Sequence, residues 1–489
     1  MIRKTLRISL RIAGFVLSSI LLVVVTLILA RAFSLRAGPD LKWWHTELVT
    51  SEFKAEDRET VTTLEQYLEK ETAVFDELRA MVESNMRADY HQLNRFNTES
   101  NSYPEKVTQN LNRSAVLRPS EVRGGILLLH GMTDSPYSLR HLAEMLSQQG
   151  FYVLNLRLPG HGTLPAELDR IQWQDWYEAV KIGASHVVGQ IEAGQPFYLL
   201  GYSNGGSLAV KYSMDSIDDV GARIPDHVFL ISPMIGVDPL ARFSRLFNWV
   251  GYLDYFRQSR WLDIYPEYDP HKYNSFPSNA GLQSYRLTTT LRKQVQRMAA
   301  NGRLGQMPPM LTFQSLVDGT VVTSAIRNLL YEKLPANGSE LVVFDANRIA
   351  ILDEFILPRH GNLLSRIMNE GTGKYAVSVV TNRAPDDLAV LELRQVAGQP
   401  GFSDRPLEYA WPEDVYSLTH VALPFPLDDM VYGLQYSSVS PAYPSIGQVH
   451  ILGESGALIL PPALLQRLRS NPFYGYIEER IKEAVNETP

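Results

Sequence analysis

The sequence predicts an α/β fold, with a mostly parallel central sheet, a helical insertion over one end of it, and a helix ahead of it long enough to cross a membrane. Three stretches carry that prediction. Residues 125–132 (Gly-Ile-Leu-Leu-Leu-His-Gly-Met) and 196–206 (Pro-Phe-Tyr-Leu-Leu-Gly-Tyr-Ser-Asn-Gly-Gly) are short apolar runs that stop against glycines, the pattern of strands buried on both faces. They lie about 70 residues apart, room for the crossover units a parallel sheet needs. The third stretch, residues 12–30, holds 19 residues without a charge, about 28 Å as a helix.

Gly201, Ser203 and Gly205 have the Gly-x-Ser-x-Gly spacing of a nucleophile elbow, a sharp strand-to-helix turn that leaves a serine hydroxyl exposed at the top of a sheet. Side chains two residues to either side of that serine would collide with the tightly folded backbone, so the glycines have a steric cause. Residues 204–213 read as a helix. Its free N–H groups and the positive end of its dipole would face any oxyanion forming beside Ser203. An ordinary tight turn also satisfies a five-residue pattern; the strand before it, the helix after it and the third glycine, Gly206, favour the nucleophile.

With the His-Gly ending of residues 125–132 set ahead of this elbow, the chain resembles the α/β-hydrolase family over roughly residues 114–455. The resemblance implies that the backbone N–H groups of Met132 and Asn204, the residues after His-Gly and after the nucleophile, are the two oxyanion donors. The loop 158–162 (Leu-Pro-Gly-His-Gly) is similar to the family as well. His161 precedes the serine, however, whereas the family order is serine, acid, histidine, so His161 reads as architectural.

In chain order, Arg3, Lys4, Arg7 and Arg11 precede the apolar stretch and only Arg31 and Arg36 follow closely, a bias that puts the N-terminus in the cytoplasm and the globular part on the outer side. A signal peptide cleaved at Ala30-Arg-Ala32 competes with this reading. Its apolar core would exceed the usual length of about 7–15 residues, which favours an uncleaved anchor over residues 1–32. Residues 33–113 follow as a helical stalk or brace and lead-in. Val61, Leu64, Leu68, Phe75, Leu78 and Val82 recur there at helical spacing, suiting a stalk or, more simply, a helix packed on the core. A formal net charge of −7 with no basic block beyond the N-terminus gives no footprint for nucleic acid. The chain has no cysteine, which excludes disulfides, thiol nucleophiles and cysteine-ligated zinc. No cofactor or metal is implied.

A catalytic domain is expected over residues 114–489. Residues 135–149 read as a helix stopped by Gly150, 151–156 as a strand, and 227–232 as the strand after the elbow. Trp173 and Trp176 read as core packing. Residues 237–308 then leave the pattern. They carry Phe243, Phe247, Trp249, Tyr252, Trp261, Tyr265 and Tyr268, suited either to a small helical core or to a lid over an acyl pocket. The family often carries a cap at this place. The run 310–316 leads into Val-Asp-Gly, putting Asp318 on a loop at a strand's carboxyl end, where open α/β sheets gather ligands. There it would accept the Nδ1 proton of a histidine and stabilise imidazolium; an Asp-Gly turn is the plainer alternative, and the family's aspartate followed by valine favours the acid.

The histidine departs from the usual spacing. In the family it follows the strand after the acid, here residues 340–344, which makes His360 the nearest candidate. His360 opens a helix-like run, and two strand-like runs follow at 375–380 and 388–393, so residues 347–410 read as an inserted extension of the sheet. His420 sits in an irregular segment, Tyr-Ser-Leu-Thr-His-Val-Ala-Leu-Pro-Phe-Pro, whose prolines prevent a helix and which resembles the family's histidine loop. His450 falls in a strand-like run. The sequence therefore favours His420 over His360 and His450. The function it predicts is hydrolysis of carboxylic esters or related acyl compounds, lipids among them, through Ser203, Asp318, His420 and an acyl-enzyme. Thioesters, amides and acyl transfer use the same machinery, and a membrane-tethered binding protein lacking one triad member is the rival from another class.

Overall fold

The computed structural model describes residues 2–36, 39–86, 93–106, 110–236, 254–321, 323–349, 355–369, 373–435, 446–448 and 460–487. Its centre is one sheet built from β1 (Ala115–Leu117), β2 (Gly124–Leu129), β3 (Phe151–Leu156), β4 (Phe197–Tyr202), β5 (His227–Ile231), β8 (Met310–Ser315), β9 (Glu340–Phe344), β10 (Ala376–Ala384), β11 (Asp387–Gln395) and β12 (Ser403–Ala410). A separate short ribbon pairs β6 (Trp261–Asp263) with β7 (Phe276–Pro277). The sheet order is β1-β3-β2-β4-β5-β8-β9-β10-β11-β12. Pairing is parallel from β3 through β10. One antiparallel strand lies at the β1 edge and two, β11 and β12, at the other.

Every residue of β2, β3, β4 and β8 is buried, because both faces of the sheet are covered. The pleat sorts the side chains. Leu127, Leu129 and Leu199 join one core with α4 (Trp173–Gly189), α5 (Asn204–Asp215) and α6 (Ser278–Ala300). Ile126, Leu128 and Leu200 join the other with α3 (Arg140–Gln148) and α8 (Tyr474–Glu487). The result is a helix-sheet-helix sandwich.

The segment before the sheet is packed on it. In α2 (Leu64–Asn85) the Thr63 hydroxyl accepts from Gln66 N while the Gln66 side chain accepts from Thr63 N, a reciprocal cap. Leu64 and Tyr67 enter the main core, and Val74 and Val82 pack with Trp44 and Phe96. A buried ion pair between Glu52 and Arg157 ties the same segment to the end of β3. Ahead of it, α1 (Ile2–Arg36) holds one stretch, Arg7–Ala30, long and apolar enough to cross a bilayer and with no buried residue in its apolar window. At its far end Phe33 meets Phe256 edge to face, ring centroids 5.5 Å apart.

Of the expected insertion, residues 237–253 lie outside the described residues, with Phe243, Phe247, Trp249 and Tyr252 among them. Its later part contains α6, where Leu287, Leu291, Val295 and Met298 are core residues beside α5 rather than surface. At the opposite end of the sheet β10, β11 and β12 continue it past β9. They are held by α8, whose Arg480 pairs with Glu340 of β9 at 2.8 Å and with Glu392 of β11 at 3.0 Å. His450 lies outside the described residues.

Candidate active site

The turn between β4 and α5 is strained as its glycines require. Ser203 has φ 52° and ψ −111°, a left-handed backbone on a residue with a side chain. It is fixed there by two hydrogen bonds, Ser203 N donating to Ile231 O (2.9 Å) and Met234 N donating to Ser203 O (3.0 Å). A Cβ on Gly205 would stand 1.9 Å from Leu129 O, and one on Gly201 2.5 Å from Gly205 O. The turn therefore closes only with glycine at both positions. Thr133 (φ 61°) and Ser232 (φ 40°) are the other described non-glycine residues with positive φ, one after the β2 loop and one after β5. Strain is concentrated around Ser203, as it is at functional sites.

The end of β2 reaches this turn. A Cβ on Gly131 would lie 3.3 Å from Ser203 Cβ, so the His-Gly segment passes directly against the serine. The backbone N–H groups of Met132 and Asn204 have no acceptor among the described residues, and Asn204 is the first residue of α5. His130 and His161 serve the architecture. His130 Nε2 accepts from Leu158 N (2.9 Å) and its Nδ1 faces Gly131 O (2.9 Å), and burial beside His161 keeps its pKa well below the ordinary histidine value. His161 Nδ1 contacts Pro159 O at 3.0 Å, and burial pulls its pKa down to about 3.

Asp318 follows β8 by three residues. Its Oδ1 accepts from Thr320 N (2.7 Å) and Val321 N (3.0 Å), and its Oδ2 from Gln314 Nε2 (3.0 Å). The remaining contact of Oδ2 is His420 Nδ1, at 2.8 Å. Burial alone would raise the carboxyl pKa; the charge and hydrogen bond of His420 and the two loop N–H groups outweigh it and bring it down to about 2. An ionised carboxylate only accepts, so Nδ1 carries the proton and Nε2 is the free lone pair.

Three elements aim His420. Ser315 Oγ of β8 donates to Leu418 O (2.8 Å), Tyr202 OH donates to His420 O (3.3 Å), and Asn347 after β9 donates from N to Tyr416 O and from Nδ2 to Val415 O, both 2.9 Å. Tyr202 is the residue before Ser203, and its ring centroid lies 5.4 Å from that of His420. Ser203 Oγ makes no hydrogen bond with His420 here, a contact that in such sites is often long until substrate arrives.

The sequence pattern of a family described as "Serine aminopeptidase, S33" matches residues 120–354, just under half of the chain. The thermostable monoacylglycerol lipase of Bacillus sp. (strain H-257) is 26% identical over 233 residues, which is 47% of this chain and 84% of that protein. These matches support an α/β-hydrolase family, whose fold the sheet and the elbow share. Among solved structures, a monoacylglycerol lipase of Paleococcus ferrophilus is 18% identical at TM-score 0.36, covering 47% of this chain and 88% of its own. A structure titled for LipS and LipT, two metagenome-derived lipolytic enzymes, is 19% identical at TM-score 0.37, with 52% and 98% covered.

His420 also lines a cavity of about 1040 Å³ that opens between the loop after β8, the histidine segment and residues 463–468. His360 lines the same cavity from α7 (Pro358–Asn369), but its ring is joined to Arg359 (3.3 Å) and no carboxylate among the described residues reaches it. Burial and the charge of Arg359 lower its pKa. One cavity residue had no signal in the sequence: Arg467, whose Nη2 donates to Thr320 Oγ1 at 3.0 Å.

Proposed function

We propose that this α/β hydrolase cleaves carboxylic esters, acylglycerol-like lipids among them, by a serine mechanism. The observation that carries the reading is the 2.8 Å pair of Asp318 and His420 set beside the strained turn of Ser203. In this mechanism Ser203 attacks the acyl carbon, His420 takes its proton through Nε2 and passes it to the leaving alcohol, and Asp318 holds the tautomer and stabilises the imidazolium. The N–H groups of Met132 and Asn204 receive the oxyanion, and the dipole of α5 adds to them. Water then enters by the same route in reverse and releases the acid. The monoacylglycerol lipase relative supports ester chemistry and an acyl chain as substrate. Arg7–Ala30 supports a membrane anchor, with the basic N-terminus cytoplasmic and the hydrolase on the outer side.

The test is a panel of p-nitrophenyl esters from acetate to palmitate, run on the full-length protein in detergent beside labelling with a fluorophosphonate. Turnover with a defined chain-length optimum and labelling at Ser203 are expected. Absence of both would mean a binding protein on a hydrolase scaffold.

A further inference from the structure

We infer that Arg467 is a specificity residue of this site, and that the preferred esters carry an anionic, phosphate-like group on their alcohol portion. The inference rests on the ester-hydrolase reading above. Arg467 is half-buried in the wall of the cavity that His420 also lines, and Leu434, Leu464 and Leu468 make that wall largely apolar. Its hydrogen bond goes to a hydroxyl, Thr320 Oγ1, and no carboxylate within the described residues forms an ion pair with it. Asp414, an exposed carboxylate lining the same cavity, does not pair with it.

Three other arginines withdrawn from water are neutralised by carboxylates, whereas Arg95, also buried, donates to the carbonyls of Lys272 and Gly162. Arg157 pairs with Glu52, Arg480 with Glu340 and Glu392, and Arg140 with Asp429 at 2.8 Å. In Arg157 and Arg480 burial opposes the charge, yet the carboxylates win and the pKa rises. Arg467 goes the other way. Burial lowers its pKa, with Arg469 adding repulsion and Tyr202 and Asp318 only partly offsetting them. A guanidinium partly withdrawn from water without a paired carboxylate is an incomplete ion site, and its planar fork fits the oxygens of a phosphate or carboxylate.

The position of the cavity selects the alcohol side of the substrate. The cavity meets His420 and is not lined by Ser203. His420 is the group that hands a proton to the leaving oxygen, so the space against it holds the leaving alcohol. The acyl chain then lies on the far side of Ser203. Thr320 N donates to Asp318 Oδ1 (2.7 Å), which makes a brace of the acid loop the competing role for Arg467.

The two roles separate in kinetics of the full-length protein on 1-butyrylglycerol and 1-butyrylglycerol 3-phosphate. Wild type is expected to favour the phosphate ester in kcat/KM by about tenfold or more, and Arg467→Met to cut that ratio by about tenfold, mainly through KM for the phosphate ester. Arg467→Lys should keep part of the preference, and Thr320→Val, which frees the guanidinium from the acid loop, should keep the ratio. Fluorophosphonate labelling reports whether each variant is folded. A wild-type enzyme that hydrolyses 1-butyrylglycerol without favouring its phosphate overturns this inference alone. So does an Arg467→Met enzyme that loses both esters in proportion through kcat, the signature of a brace. No turnover of either ester and no labelling removes the hydrolase reading as well.

Discussion

His420 Nδ1 and Asp318 Oδ2 stand 2.8 Å apart although 102 residues separate them in the chain. The bond puts the proton on Nδ1 and leaves Nε2 with the free lone pair, on an imidazole whose ring centroid lies 5.4 Å from that of Tyr202, the residue before Ser203. If the three side chains act as one unit, their removal is not additive. Ser203→Ala and His420→Ala are each expected to lose about 10⁴- to 10⁶-fold in kcat, and the double variant to be no worse than either. Steady-state kinetics with active-site titration checks this; a double variant that multiplies the two losses would mean that the residues work independently.

His360 is the control. It lines the same cavity but faces Arg359, and no carboxylate among the described residues fixes its tautomer. His360→Ala is expected to stay within about tenfold of wild type. If His360→Ala and His420→Ala exchanged behaviours in the same assay, the active base would lie ahead of β10 and not after β12.

The elbow was legible because its glycines answer a local steric demand, and Asp318 because a strand end followed by Asp-Gly marks a loop. His420 was harder. Local spacing pointed to His360, and only the prolines after His420 and the strand-like runs between the two histidines argued otherwise. The sheet extension was seen in part: β10 and β11 read as strands, whereas β12, Ser403–Ala410, carries Pro406 and mostly exposed polar residues, as an edge strand does. α6 falls within residues 237–308, read as a cap insertion suited either to a small helical core or to a lid, because its amphipathic pattern does not say which surface it covers. Arg467 gave no signal at all, since an arginine in Leu-Leu-Gln-Arg-Leu-Arg looks like any solvated charge until the fold brings Thr320 to it across 147 residues.

Gly205 tests the elbow itself. The added methyl of Gly205→Ala would overlap Leu129 O at 1.9 Å, a backbone atom in the middle of the sheet that cannot swing aside. The variant is expected to lose about 1–3 kcal/mol or more of stability and to lose fluorophosphonate labelling with it. Normal labelling with an unchanged Tm would show that the turn has room the geometry denies.

The stretch Arg7–Ala30 is about 36 Å long as a helix and its apolar window holds no buried residue. The full-length chain is expected to fractionate with membranes and to resist extraction by salt and carbonate, and a chain lacking residues 1–32 to be soluble. Sequencing the N-terminus of the native protein decides between anchor and signal: a soluble mature chain starting near Phe33 would overturn the anchor.

Glu167 gives the fold a pH dependence independent of catalysis. It is buried, its Oε1 accepting from Val49 N at 2.7 Å, and burial, reinforced by the charge of Glu52, raises its pKa from 4.5 to about 8. Between those two values the folded chain keeps this carboxyl protonated while the unfolded chain has released the proton. The folded state binds more protons, so its stability falls as pH rises through this window and is fully present only below it. Glu167→Gln keeps an oxygen for Val49 N and has nothing to titrate. It is therefore expected to change stability little at pH 5 and to raise it at pH 8, by on the order of a few kcal/mol. Urea denaturation at the two pH values reads the difference directly. A stability gain that is the same at both, or a loss that deepens at pH 8, would mean that Glu167 is ionised in the folded protein and held by its neighbours.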